Sequence, residues 1–152
     1  MILGIDPGLA NLGWAVMDGE NLIDYGCIET KSGLKSEVRL KFIFKEVKNI
    51  IEKHQIGEVV MESLYFAKNA KSALKVAEVM GVIKICAGNN GVGVKEYTPL
   101  QIKTSLVGYG RAEKFQVEEM VGRLLNLKKK ISPSHASDAV AVAMTHLRYN
   151  GI

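Results

Sequence analysis

Met1-Ile2-Leu3-Gly4-Ile5-Asp6 and Val59-Val60-Met61-Glu62 are short apolar runs, each closed by a carboxylate. Parallel strands are buried on both faces and read as continuous apolar runs rather than alternating ones. Open α/β sheets place ligands beyond the carboxyl ends of such strands. If the two runs are neighbours, Asp6 and Glu62 meet at one edge of a sheet. Carboxylates ~4 Å apart repel by about 4 kcal/mol at an effective dielectric of about 20, so the pair needs a cation or shared protons. Magnesium, which combines carboxylates with waters and phosphate oxygens, is the usual cation in such a group. The stretch that decides the fold therefore also points to metal-dependent phosphate chemistry.

Working outward, residues 1–30 read as a β-meander. Strands are expected at 1–6, 12–16 and 22–30, with Asp18-Gly19 as a hairpin dipeptide. Residues 36–54 switch to helical period. Leu40, Ile43, Phe44, Val47, Ile50 and Ile51 line one face, and Lys41, Lys45, Lys48 and Glu52 the other. Gly57 separates this helix from the strand ending at Glu62. A second helix is expected over 69–87, where Ala73, Ala77 and Gly81 suit either packing on the domain's own sheet or a dimer interface. Val92 to Tyr97 reads as the last strand, and Thr98-Pro99 as N-cap and first turn of a helix to about Val107. A flexible break at Gly108–Arg111 precedes a helix from Ala112 to Leu127, and Ser134 caps the final helix. The order β-β-β-α-β-α-β-α-α-α predicts a mixed sheet, antiparallel in its first three strands, then continued by α/β crossovers and flanked by helices.

Composition bounds the function. The 152 residues, 47% of them hydrophobic, suit one globular domain with a single core. No apolar stretch approaches the roughly 20 residues of a membrane span, and Asp6 interrupts the first run too early for a signal sequence. Cys27 and Cys86 lack metal-ligand spacing and are too few for a disulfide scaffold, which favours a reducing cytoplasm. The net charge of +4 and pI near 9.0 are compatible with nucleic acid without being diagnostic of it.

His135 and Asp138 share one face of the last helix, near its start. Ala139, Ala141 and Ala143 would let that helix lie close to the sheet and bring its first turn to the strand ends. Asp6, Glu62, His135 and Asp138 are thus candidates for one site. Each alone has an ordinary structural explanation: Asp6 as a turn residue before Pro7-Gly8, Asp138 as partner of the helix dipole, His135 as a first-turn residue. Together they fit two-metal phosphodiester hydrolysis, with Asp6 the best candidate for bridging both ions. The basic residues Lys68, Lys71, Lys75, Arg111 and Lys114 are candidate DNA contacts, although exposed lysines are usually only solvated.

Three motifs carry a family resemblance: Gly4-Ile5-Asp6-Pro7-Gly8 with Gly13-Trp14, Glu62 through Asn69, and His135-Ala136-Ser137-Asp138-Ala139. The stretches Gln101–Thr104 and Gly108–Lys114 add a basic segment. In this order and over the whole chain they resemble the RuvC family of bacterial Holliday-junction endonucleases. The resemblance implies an RNase H-like nuclease domain over residues 1–152 and a homodimer making paired incisions in a four-way DNA junction, in recombination and repair. It implies two magnesium ions per site, with manganese as a substitute, and the junction branch-migration complex as a partner. Asp6, Glu62 and Asp138 would be acidic ligands, with His135 where family members carry aspartate or histidine. Tyr65 falls where phenylalanine is common and would stack on an unpaired base. Phe66, Lys68, Asn69, Lys103, Arg111 and Lys114 complete the expected DNA contacts, while Lys128-Lys129-Lys130 has no assigned role. Competing readings are an ATP-binding module with a similar first loop, a junction binder without cleavage, and a nuclease acting on RNA.

Overall fold

The computed structural model describes residues 1–64 and 70–151. Strands β1 (Ile2–Asp6), β2 (Asn11–Asp18) and β3 (Asn21–Glu29) form the antiparallel meander. Its second turn is tight because Gly19 takes a positive φ of 54° beside the Asp18↔Asn21 pair. Strands β4 (Glu58–Glu62) and β5 (Gly93–Tyr97) continue the sheet in parallel, giving the order β3-β2-β1-β4-β5. The expected mixed sheet is what forms.

Helices cover both faces. Leu3, Ile5, Val59 and Met61 point to one side, where they pack with Ile43 and Val47 of α1 (Ser36–Lys53) and Val79 and Ile83 of α2 (Ala70–Asn89). Val60 points to the other side, against α3 (Pro99–Val107), α4 (Lys114–Leu124) and α5 (Ser134–Tyr149). Strand period 2 sends alternate residues to opposite layers, so one apolar run feeds two cores. Among the described residues no helix is long and apolar enough to cross a membrane.

Two glycines set the position of α5. A Cβ on Gly4 would lie 2.3 Å from the Ala139 carbonyl oxygen, and one on Gly13 would lie 1.9 Å from that of His135. Neither distance is sterically possible, so a side chain at either position would push the helix off the sheet. The small face of α5 and these bare strand positions together lower its first turn onto β1 and β2.

Some boundaries differ from expectation. Helix α4 is shorter than 112–127 because Glu113 and Gln116 form a reciprocal capping box at its start. Its end comes early because Asn126 adopts a φ of 51° and the Leu127 N–H returns to the Gly122 carbonyl. Pro133, not Ser134, holds the N-cap position of α5, since the Ala136 N–H already bonds the Pro133 carbonyl at 3.0 Å. Thr98 and Pro99 begin α3 as expected, with Gln101 completing the cap.

Candidate active site

Asp6 and Glu62 close adjacent parallel strands. The pairs Gly4↔Val60 and Ile5↔Met61 carry the two acids to neighbouring ends of β1 and β4. The alternation that turns Gly4 and Val60 toward α5 turns Asp6 and Glu62 the same way. There they meet the first turn of α5. His135 Nδ1 is 2.8 Å from Asp6 Oδ2, and one potential ligand atom each from Asp6, His135 and Asp138 lies within 4.8 Å of the others. Glu62 is not a member of this compact trio. It lines an adjoining cavity of about 210 Å³ with Asp138, Lys103 and Lys114.

The electrostatics show a surplus of acid. Burial pushes Asp6 above the ordinary carboxylate range and Asp138 adds repulsion, while the His135 hydrogen bond opposes the shift. Glu62 is raised to about 7, chiefly by burial and then by the charges of Asp6 and Asp138. Lys114 Nζ donates to Asp138 Oδ2 at 2.5 Å. Burial disfavours its charge, yet the bond and charge of Asp138, helped by Asp6, hold its pKa above the usual lysine value. One lysine therefore offsets one of three clustered acids. Two carboxylates and an imidazole nitrogen form a group able to hold a divalent cation.

Of the expected DNA contacts, Lys103 and Lys114 reach the cavity beside Glu62, and Arg111 is exposed on the segment between α3 and α4. Tyr65, Phe66, Lys68 and Asn69 lie outside the described residues. The direct bond from Lys114 to Asp138 had no sequence signal, because the two residues are joined only by the packing of α4 on α5. The role of Gly13 had one: a glycine within a strand marks close backbone approach.

A five-stranded mixed sheet with acids at the carboxyl ends of β1 and β4, completed by the first turn of α5, defines the RNase H-like class of α/β proteins. A yeast mitochondrial Holliday junction resolvase shares the fold, with a TM-score of 0.70 at 12% identity over 99% of this chain and 78% of that one. The family model described as crossover junction endodeoxyribonuclease RuvC matches residues 2–146, and the chain belongs to that family. The RuvC of Clostridioides difficile (strain 630) is 44% identical over 99% of this chain and 91% of its own length. The RuvC of Caldicellulosiruptor saccharolyticus is also 44% identical, over 96% of this chain and 91% of its own length. The structure of Thermus thermophilus RuvC in complex with a Holliday junction substrate superposes with a TM-score of 0.91 at 32% identity, covering 98% and 93% of the two chains.

Proposed function

We propose that this chain, as one RNase H-like nuclease domain over residues 1–152, is an endodeoxyribonuclease that resolves four-way DNA junctions in recombination and repair. The observation that carries this reading is the meeting of Asp6, His135 and Asp138 beside Glu62 at the strand ends, in a chain of the RuvC family. Asp6, Glu62, Asp138 and His135 would hold two magnesium ions, with manganese as a substitute. Bound there, the ions supply charge for phosphate binding and an activated water for hydrolysis.

The side chains divide the remaining work. Asp6 orients the His135 ring through Nδ1, which fixes the imidazole at the edge of the acidic cluster. Glu62, with a pKa near 7 in the metal-free site, would give up its proton when its carboxylate oxygens take a cation. Lys114 steadies Asp138 and, with Lys103, presents cationic nitrogens to the cavity where a phosphate would sit. Arg111, Lys68 and Asn69 add backbone contacts, and Tyr65, with Phe66 beside it, would stack on a base at the junction centre.

Paired incisions call for a two-fold dimer, which supplies two identical sites. Helix α2 divides its small residues in a way that supports this arrangement. Ala73 is buried within the domain, while Ala77 and Gly81 are exposed in line with the exposed apolar side chains Leu74 and Ile85. That row would meet its copy. Membership of the family supports the branch-migration complex as a partner, and a DNA junction as substrate supports a cytoplasmic location.

The test is cleavage of a synthetic four-way junction, a duplex of the same sequence and a structured RNA, each with magnesium, manganese or chelator. Symmetric nicks in the junction, dependent on metal, are expected. Equal cutting of duplex or RNA would overturn junction specificity, and full activity in chelator would overturn the metal assignment.

A further inference from the structure

Two cavities flank the Asp6–His135–Asp138 trio. The first, described above, carries Lys103 and Lys114 on the α3/α4 side. The second, of about 400 Å³, lies toward α1 and α2 and includes His135 in its lining. Its other lining groups include Gly8 and Asn11 from the β1–β2 loop, Arg39 from α1 and Lys75 from α2. Its described lining holds two full cations and no carboxylate. That composition contrasts with the acid-rich trio next to it.

The loop and Arg39 are fixed in place. A Cβ on Gly8 would lie 2.3 Å from the Asn11 carbonyl oxygen, so the loop closes too tightly for any larger residue. The Thr30 N–H donates to the Ala10 carbonyl at 3.0 Å, and the Thr30 hydroxyl donates to that of Leu9 at 2.5 Å. Arg39 Nε donates to the same hydroxyl oxygen at 2.8 Å. Among the described residues only Nε of this guanidinium is engaged, and an arginine fork fits phosphate oxygens. A half-buried arginine anchored by Nε pays for its ordering in advance, unlike a solvated surface lysine.

We infer that this second cavity seats the phosphodiester backbone on one side of the scissile phosphate, with Arg39 and Lys75 each neutralising a phosphate. Lys103 and Lys114 serve the other side, so the cut strand crosses the carboxylates between two cationic seats. The inference rests on the nuclease reading above and adds the path of the strand. Its chemistry is charge complementarity: an acidic centre repels the polyanion it must bind, so cations on both flanks must hold the chain across it.

The test uses the full-length protein and a four-way junction, without divalent metal for binding and with magnesium for cleavage. Lys75→Gln breaks no hydrogen bond seen among the described residues, and Arg39→Gln/Lys75→Gln removes both charges. Each lost phosphate contact should lower the slope of log affinity against log salt by about 0.9. Methylphosphonates, which remove one backbone charge, are placed singly at each phosphate flanking the cut. Wild type should lose about tenfold in affinity at phosphates in the Arg39–Lys75 seat, as for one charge-assisted hydrogen bond. The double variant should show no further loss there, yet the full loss at phosphates on the other side of the cut. Lys128→Gln, remote from both cavities, should keep the wild-type pattern. Equal losses in wild type and double variant at every position would overturn the second seat while leaving junction cleavage intact. A wild-type protein that leaves the junction uncut in magnesium would overturn the nuclease reading instead.

Discussion

His135 near the start of α5 and His146 near its end each meet a carboxylate at 2.8 Å, Asp6 and Glu58 respectively. The pairs are chemically alike and their surroundings are opposite. The His146 side chain is only 4% exposed and takes a second hydrogen bond, at 2.8 Å, from the Tyr97 hydroxyl. Glu58 is also paired with Lys95 at 3.4 Å, so acid and base balance. Burial keeps His146 toward its neutral form despite Glu58. The His135 side chain is 42% exposed and stands among surplus carboxylates between two open cavities. A closed, balanced pair holds α5 to β4 and β5, whereas an open pair with excess acid is poised for a cation and a substrate. The geometry of the pair alone does not separate structure from chemistry; charge balance and access do.

The contrast breaks most sharply at Asp6. Asp6→Asn should lower junction cleavage by about a thousandfold or more, while binding without divalent metal stays the same or tightens. Single-turnover cleavage and a mobility-shift titration check both halves, and substantial cutting in magnesium would remove Asp6 from the centre.

The two histidines should then part. His135→Ala is expected to slow cleavage by about 10- to 100-fold at limiting magnesium, with partial recovery at higher metal, and to leave Tm almost unchanged. His146→Ala should do the reverse: Tm falls by roughly 5–10 °C while the rate per folded molecule holds, because the half-buried Glu58 carboxylate and the buried Tyr97 hydroxyl lose their partner and a cavity opens in the core. Rate against metal concentration and calorimetry on both variants decide this, and identical profiles would erase the distinction.

Glu62 sharpens the contrast through pH. Its folded pKa near 7 lies above the unfolded carboxylate value of 4.5. The stability this group contributes is therefore complete below about 4.5 and is lost as pH rises through 7. Glu62→Gln should raise the Tm of metal-free protein by several degrees, roughly 5 °C, at pH 8 and leave it unchanged near pH 4.5. Magnesium should narrow the gap by stabilising the ionised wild type. A larger gain for the variant at acid pH would reverse the sign and refute the account.

The smallest effect is expected at Lys114. Its charge lowers the pKa of both Asp6 and Glu62, so Lys114→Gln should raise both. The acid limb of the cleavage profile, measured at saturating junction, should move to higher pH. An unmoved limb would confine Lys114 to its bond with Asp138.

Much of this was legible in the chain. Apolar runs ending in Asp6 and Glu62, the Asp18-Gly19 turn, the period of residues 36–54 and the Thr98-Pro99 cap are local signals that the fold obeys. They are legible because strand burial, turn dihedrals and helix caps depend on residues close together in sequence. The same local patterns supplied the candidate acids and the order of elements, and the family motifs agreed with both. The ends of α4 and the cap of α5 were less legible, since several residues compete to close a helix and their spatial neighbours choose.

What the sequence by itself determined is the set of elements and the chemical types at their ends. Only the tertiary structure decided which ends meet. Asp6 and His135 are 129 residues apart, and their 2.8 Å contact exists because Gly4 and Gly13 let α5 settle on β1 and β2. The Lys114–Asp138 bond, the balanced Glu58–His146–Tyr97 network and the cavity between Arg39 and Lys75 are likewise products of packing. Charge and proximity act through space, and a linear pattern fixes distance only within a turn or a strand.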